Sequence, residues 1–493
     1  MKRELLLEAV AGQTRLAVVE DDKLCELYYE RPGSEYLSGN LYLGRVQNVL
    51  PGMNAAFVDI GLDKNAFLYA GDIPVDTREA GDLADRMRGA RIEKMLHPGQ
   101  ELLVQVVKEP GGTKGCRVSS HITVPGRMTV LLPTVSYVGI SRKIVDPAER
   151  DRLHEIAAEL TGDSGMGVIV RTAAMGVDAG ALRSDYASAC ALWREIETRA
   201  RVARAPKRIH SDGSLALRAV RDMLDDSVEA IRVDGAALFR RTMGYARLLA
   251  PQLAGRVVEY AGETPLFDLY RVDVQADRRM GRHVWLKSGG SLVIDETEAL
   301  TVIDVNTGKF VGGKSFDDTV FRLNCEAAKE IARLIRLRDI GGIIVIDFID
   351  MDSQADRDAL LKLVTELMAA DRNRTNVVGF TGLGLLEMTR KKSRRPLTKQ
   401  LMHVCPVCGG RGAVPSYETT ARRAIREVWA RGRSHPQGAL LVEAAPPVAG
   451  WLNTIGAPEG MEVYAAADAR FPESEYRISP AGHPLPDGAR RLK

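Results

Sequence analysis

The sequence predicts an α/β and α+β multidomain protein, and three observations carry that reading. Its 493 residues are enough for several cores, about three domains at roughly 150 residues each. Short β-like runs parted by Gly, Pro and Asn crowd residues 38–120, the pattern of a small barrel or sandwich. Strand and helix patterns alternate over residues 281–398, as in an α/β sheet. Composition agrees, because 45% hydrophobic and 27% charged residues mark a globular chain and not a disordered one. With 68 Lys and Arg against 65 Asp and Glu, the net charge is +3. That excludes a histone-like polycation but leaves room for a nucleic-acid enzyme with local basic patches.

In chain order, LLLEAV (5–10), TRLAVVE (14–20) and CELYYE (25–30) predict strands within residues 1–37. Residues 38–120 carry the barrel signal, interrupted by a charged insertion at 76–98. Residues 121–216 mix strands (MTVLLP, GVIVRTA) with helices expected over 147–160 and 180–204. The second helix runs into Arg199, Arg201, Arg204, Lys207 and Arg208, a solvated helix end or a phosphate contact. Residues 217–280 predict helices over 214–230 and 236–249 around the strand AIRVDG. Residues 281–398 predict a hairpin (291–295 and 299–305), a helix with Ala327, Ala328, Ile331, Leu334 and Ile335 on one stripe, and a buried strand (341–348). A further helix, a Gly-punctuated turn and the basic run Arg390–Arg395 follow. CPVCGGRG lies within 399–415, a Glu/Arg helix spans 416–433, and a small terminal module ends the sequence. No stretch reaches the roughly 20 apolar residues of a membrane helix, and no secretory signal is read. Six cysteines, four of them scattered, are no disulfide scaffold, so a cytoplasmic protein with reduced thiols is expected.

Two aspartates end strongly apolar runs: Asp304 after Thr301-Val302-Ile303, and Asp347 after Ile343-Ile344-Val345-Ile346. A charge at the end of so apolar a strand wants a partner or a cation. If the strands are neighbours, the carboxylates converge and suit Mg²⁺ or Mn²⁺. Asn306 falls on the same strand face as Asp304. The alternative is that each Asp caps a turn. Asp350 and Asp352 precede a helix expected from about 354, and N-cap duty is expected of them. Cys405 and Cys408 form half of a zinc knuckle, with His403 nearby. Since structural zinc takes four ligands, two chains each giving a pair is the economical solution. A redox CxxC and a metal-free pair are the rivals. Phe57 and Phe67 belong either to the barrel core or to a base-stacking surface, with Lys114 available to a phosphate. Gly126 to Val130, with Arg171 and Thr172, offer a phosphate fork or an ordinary ion pair.

Together these segments resemble the ribonuclease E/G family of bacterial endoribonucleases, nearer to its ribonuclease G branch. The resemblance is carried by LPGMNAAFVDIGLDKNAFL (50–68), GTKG (112–115), IVRTA (169–173), FDLY (267–270), SGG (288–290), TVIDVNTGKFVGG (301–313), residues 328–351, GLLEMTRKK (384–392) and CPVCGGRG (405–412). It implies a split RNase H-like domain (1–37 and 217–280), an inserted OB-fold barrel (38–120) and a 5′-sensor domain (121–216). A DNase I-like catalytic domain (281–398), a zinc link (399–415) and a small C-terminal domain (416–493) complete it. The positions matching Asp304 and Asp347 hold one Mg²⁺ per protomer in the family, assisted at Asn306. Those matching Phe57, Phe67 and Lys114 hold RNA, and those matching Gly126, Val130, Arg171 and Thr172 cup a 5′-monophosphate. Cys405 and Cys408 would share one Zn²⁺ across a dimer. The resemblance further implies single-stranded RNA as partner, namely rRNA precursors and mRNA. It implies a homodimer or tetramer, hydrolysis to 5′-phosphate and 3′-hydroxyl ends, no membrane anchor, and none of the long scaffold tail of enterobacterial ribonuclease E. A non-catalytic RNA-binding regulator and a zinc-linked structural assembly protein are the alternatives.

Overall fold

The computed structural model describes residues 2–31, 36–74, 91–110, 114–162, 164–308, 316–392, 394–434, 438–482 and 484–493. Most of the charged insertion at 76–98 lies outside them, as do residues 112–113 and 309–313 of the segments quoted above. The chain divides into two compact units, Met1–Gln400 and Leu401–Lys493.

In the first unit, β1 (Arg3–Val10), β2 (Gln13–Glu20) and β3 (Lys23–Glu30) form an antiparallel meander. A barrel follows from β4 (Leu41–Leu50), β5 (Ala55–Asp59), β6 (Ala66–Tyr69), β7 (Glu101–Lys108) and β8 (Arg117–Ser119). It closes because the long β4 pairs with both β5 and β7. Gly44 permits the bend, since a Cβ there would lie 2.5 Å from Val58 Cγ1. Val46, Val58, Leu68, Val104 and Val118 fill the interior.

Next, β9 (Val124–Pro125), β10 (Thr129–Leu132), β11 (Val138–Ile140) and β12 (Gly167–Val170) make a four-stranded sheet of order β11-β12-β10-β9. Helices Pro147–Thr161 and Ala179–Val202 supply its core partners Leu153, Ala157, Leu182 and Ile196. Asp146 and Asp178 cap their first turns. Strand β13 (Lys207–His210) then joins β4. The helix expected over 214–230 is cut short: Leu215–Arg218 runs into a wide turn at Ala219–Met223. The following residues are drawn into β14 (Val228–Asp234), which pairs in parallel with β1. With β15 (Val257–Tyr260), the sheet order becomes β15-β14-β1-β2-β3. Both faces of this sheet are covered, by helix Ala236–Leu249 on one and helix Val272–Met280 on the other. Apolar residues on both faces of β1 and β2 follow from this, with Leu5, Leu7, Leu16 and Val18 on one side and Leu6, Ala17 and Val19 on the other.

The third large element is a six-stranded sheet of order β16-β17-β18-β19-β21-β20. Its strands are β16 (His283–Trp285), β17 (Ser291–Glu296), β18 (Leu300–Asn306), β19 (Gly342–Asp347), β20 (Thr375–Phe380) and β21 (Leu386–Arg390). Helices Phe316–Arg338 and Gln354–Ala369 bury one face through Leu292, Ile303, Val305, Ile344 and Ile346. The expected Gly-punctuated turn lies after Phe380, with the Gly384 amide on the Thr381 carbonyl, and it joins β20 to β21 as a hairpin whose second strand begins at Leu386. Asp350 and Asp352 do not cap the helix from 354; Ser353 does, accepting from the Asp356 amide. Its short hydroxyl reaches the first-turn N–H, which leaves Asp350 exposed beside β19.

The second unit is a four-stranded sheet of β22 (Leu440–Ala444), β23 (Val463–Ala467), β24 (Tyr476–Pro480) and β25 (Arg490–Arg491), ordered β24-β22-β23-β25. Helices Tyr417–Ser434 and Pro446–Ile455 bury Ala421, Ala424, Val428, Val448 and Leu452 against it. Among the described residues, no helix is long and apolar enough to cross a membrane.

Candidate active site

Strands β18 and β19 are parallel neighbours, and Asp304 stands directly opposite Asp347 in their register. Alternation forces the pairing outward: Ile303, Val305 and Ile346 face the helices, so the aspartates face away. Adjacent strands lie about 4.8 Å apart, so the two carboxylates can share one ion. Asn306 Nδ2 donates to Asp304 Oδ2 at 2.7 Å, fixing that carboxylate. Partial burial and the neighbouring Asp304 and Asp350 hold the Asp347 carboxyl above its ordinary range. Accumulated negative charge of this kind is what a divalent cation relieves, and the all-oxygen donor set fits a hard one. Among the described residues no cluster of three or more His, Cys, Asp or Glu is arranged as a metal site. The two aspartates would thus leave most coordination positions to water and substrate, as Mg²⁺ prefers.

Phe57 and Phe67 are cross-strand partners on β5 and β6, with ring centroids 6.2 Å apart and an interplanar angle of 72°. Their neighbours Ala56, Val58, Ala66 and Leu68 point into the barrel. The two rings therefore sit half-buried on its outer wall. Lys114 is exposed and lines a cleft of about 790 Å³ with Lys108, Lys392, Arg395 and Lys399. That cleft also touches Leu300, Thr301 and Gly341, at the ends of β18 and β19 remote from Asp304 and Asp347.

Around Gly126 the organising residue is one the sequence did not single out. Asp185, from helix Ala179–Val202, accepts the amides of Arg127, Met128 and Thr129 at 3.0, 3.1 and 2.8 Å. It also accepts the Thr129 hydroxyl at 2.6 Å. A Cβ on Gly126 would come within 2.5 Å of Asp185 Oδ2, so only glycine fits. Arg171 donates to the Gly126 carbonyl at 2.7 Å and to Asp222 at 2.8 Å. The Thr172 and Ser141 hydroxyls are 3.1 Å apart. Val130 pairs with Ile169 and Pro125, beside this turn. Gly126, Val130, Arg171 and Thr172 are thus brought together. The bland alternative, an ion pair for Arg171, is realised as well. Asp185 lies more than 50 residues from the Gly126 turn and Asp222 more than 50 from Arg171, and no local pattern signals either contact.

In the second unit Cys405 is exposed and Cys408 partly so. The Gly409 amide donates to the Cys405 carbonyl at 2.8 Å, forming the tight turn. Amides of Gly412 and Gly410, directed at the sulfur, hold the Cys408 thiol below its usual range. Cys405 and Cys408, brought onto one turn, offer the sulfur pair of half a tetrahedral zinc site. His403 completes no three-ligand group with them.

Comparison with known proteins places this geometry in context. The profile of the ribonuclease E/G family matches residues 123–393. Ribonuclease G of Salmonella typhimurium is 41% identical over 472 residues, covering 96% of this chain and 95% of that protein. Ribonuclease G of Haemophilus influenzae is 40% identical over 450 residues, covering 91% of each. Ribonuclease E of Escherichia coli is 37% identical over 428 residues, 86% of this chain but 40% of that longer protein. The aligned length includes both aspartate-bearing strands, and similarity at this level across nearly the whole chain settles the assignment: the chain belongs to the ribonuclease E/G family.

Proposed function

We propose that this protein is an endoribonuclease that hydrolyses single-stranded RNA to 5′-phosphate and 3′-hydroxyl ends. In this reading it is stimulated by a 5′-monophosphate and serves rRNA 5′-end maturation and mRNA decay. Membership of a ribonuclease family supplies the reaction class. The observation that carries the site is the register pairing of Asp304 with Asp347. These two carboxylates would hold one divalent cation, and Asn306 fixes Asp304 through its hydrogen bond. A divalent cation held there would supply Lewis-acid polarisation of the phosphodiester and a more acidic bound water. The outer-wall rings of Phe57 and Phe67 stack bases of an unpaired strand. The Gly126 turn, Val130, Arg171 and Thr172 receive the terminal phosphate by charge-assisted hydrogen bonds. Cys405 and Cys408 share zinc with the same pair of a second chain. The domain limits implied by the family resemblance are retained with this reading, and the cytoplasm is its place of action.

The test is cleavage of a short AU-rich single-stranded RNA carrying a 5′-monophosphate or a 5′-hydroxyl, with Mg²⁺ and with EDTA. Mg²⁺-dependent cutting that favours the monophosphate is the expected result. Cutting blind to the 5′ end would remove the sensor and keep the nuclease. Binding without cutting would favour the non-catalytic regulator.

A further inference from the structure

The register of the six-stranded sheet places an exposed tryptophan on the same face as the two aspartates. His283, Val293, Asp304 and Asp347 form one row across β16, β17, β18 and β19. Trp285, Ser291 and Asn306 form the next. Directly paired residues share a sheet face, so Trp285 and the carboxylates look the same way. The opposite face takes the apolar residues, including both neighbours of Trp285, Val284 and Leu286. Trp285 itself is 73% exposed, an unusual state for so large an apolar side chain. Two strand spacings separate it from Asn306, about 10 Å.

Its position is braced. The turn after Trp285 closes through the Leu286 amide on the Gly290 carbonyl at 2.9 Å and the Gly289 amide on the Leu286 carbonyl at 3.2 Å. Glu326, on helix Phe316–Arg338, accepts the amides of Lys287 and Ser288 at 2.8 and 3.3 Å. A Cβ on Gly290 would lie 3.0 Å from the Asn306 carbonyl, and one on Gly308 would lie 2.3 Å from the Gly289 carbonyl. The Ser288-Gly289-Gly290 turn is therefore locked against the backbone that follows Asp304. The indole is held at a fixed offset from the carboxylates and does not ride on a loose loop.

We infer that Trp285 is a substrate-stacking residue: its indole holds the base next to, or one beyond, the phosphodiester that is cut. The inference rests on the reading that Asp304 and Asp347 face that bond. The other exposed members of the two rows are polar: His283, Asn306 and Asp347. An apolar protein partner finds little to bury there. A single π-face beside a cation-holding carboxylate pair matches a nucleotide, whose phosphate and base need those two features at that offset. Lys287, exposed in the same hairpin, adds charge for the backbone.

The experiment uses the whole chain, the variants W285A and W285F, and a short single-stranded RNA with one cleavage site. A single abasic nucleotide is walked across that RNA. We expect W285A to lose about tenfold in kcat/KM, mainly through KM, and W285F to retain most of it. In the unsubstituted protein one abasic position costs a similar factor, and in W285A that position costs nothing further. A purely structural role would leave the abasic penalties unchanged in W285A, and that result overturns the inference. So does a change in the sedimentation mass of W285A, which would show that a second copy covers this face. Stacking is also read without cleavage, in EDTA, as RNA-induced quenching of tryptophan fluorescence that disappears in W285F at unchanged affinity. Quenching that persists in W285F overturns the inference. Quenching that disappears while no RNA is ever cut leaves the stacking site in place and sinks the nuclease reading.

Discussion

Arg171 and Asp222 form a 2.8 Å ion pair, while the other terminal nitrogen of Arg171 donates to the Gly126 carbonyl at 2.7 Å. Asp222 is shared with Arg221. Burial would raise its carboxyl, but Arg221 and Arg171 outweigh that and hold it below its ordinary range. The guanidinium is thus fixed in place, and under the proposed function its ordering cost is already met when a 5′-phosphate binds. Arg171→Ala is expected to cut the preference for a 5′-monophosphate by about tenfold or more, the value of a charge-assisted hydrogen bond. Cleavage of 5′-hydroxyl RNA should stay near normal. Asp222→Asn, which loosens the aim and keeps the charge on Arg171, should reduce the preference less. Paired cleavage rates on the two substrates check both.

The carboxylate pair makes a different prediction. Asp347→Asn keeps the shape of the side chain and removes half of the charge that the proposed cation would meet. Cleavage should be abolished while RNA affinity, measured in EDTA, is unchanged. Asn306 acts on Asp304 through its 2.7 Å hydrogen bond. Asn306→Ala should therefore cost about 10–100-fold in activity, the usual effect of losing the group that orients a metal ligand. Excess Mg²⁺ should recover part of it. Full activity in Asp347→Asn would remove these residues from the site.

The pairing of Asp304 with Asp347 was legible in part: a carboxylate after an apolar run breaks the binary pattern, although β18 runs past Asp304 to Asn306, and the parallel register sets the two side by side. The barrel was legible from its spacing, and the hairpin of β17 and β18 from its alternation. Phe57 and Phe67 were not resolved, because a large apolar residue on an outer wall reads the same as one inside. The contacts of Asp185 and Asp222 were invisible: Asp185 partners residues distant in sequence, Asp222 joins its neighbour Arg221 to the distant Arg171, and an isolated Asp carries no periodic signal. The helix expected over 214–230 failed for a related reason. Its local propensity lost to the pairing of β14 with β1, more than 200 residues away in the chain.

The proposed zinc link makes a prediction about association. The Gly412 and Gly410 amides favour the thiolate of Cys408, and thiolates are what zinc binds. Cys405→Ser should lower the zinc content from one ion per two chains to none. Sedimentation should then show the smaller species, with the second unit still folded on its own core of Ala421, Val428 and Leu452. An unchanged mass with unchanged zinc would exclude the shared site.

A buried ion cluster ties the first sheet to the helix that leads into β19, and it predicts an acid limit. Arg336 donates to Glu20 at 2.7 and 2.9 Å and to Glu26 at 2.7 and 3.2 Å. Burial alone would raise both carboxyls. Arg336, joined at Glu26 by Arg372, offsets this and holds both below the ordinary carboxylate range. A depressed folded-state pKa means that the unfolded chain binds protons first as the pH falls. The stabilisation is complete above the unfolded value of about 4.3 and is lost as pH falls through it toward the lower folded value. Thermal unfolding of the first unit should therefore move to lower temperature between about pH 5 and pH 3. Glu26→Gln should cost roughly 3–5 kcal/mol at neutral pH, because it leaves Arg336 buried with half its partners. The same variant should flatten the acid dependence, since one of the two groups that generate it is gone. An acid profile identical in the variant and the parent would place the origin of the acid limit elsewhere.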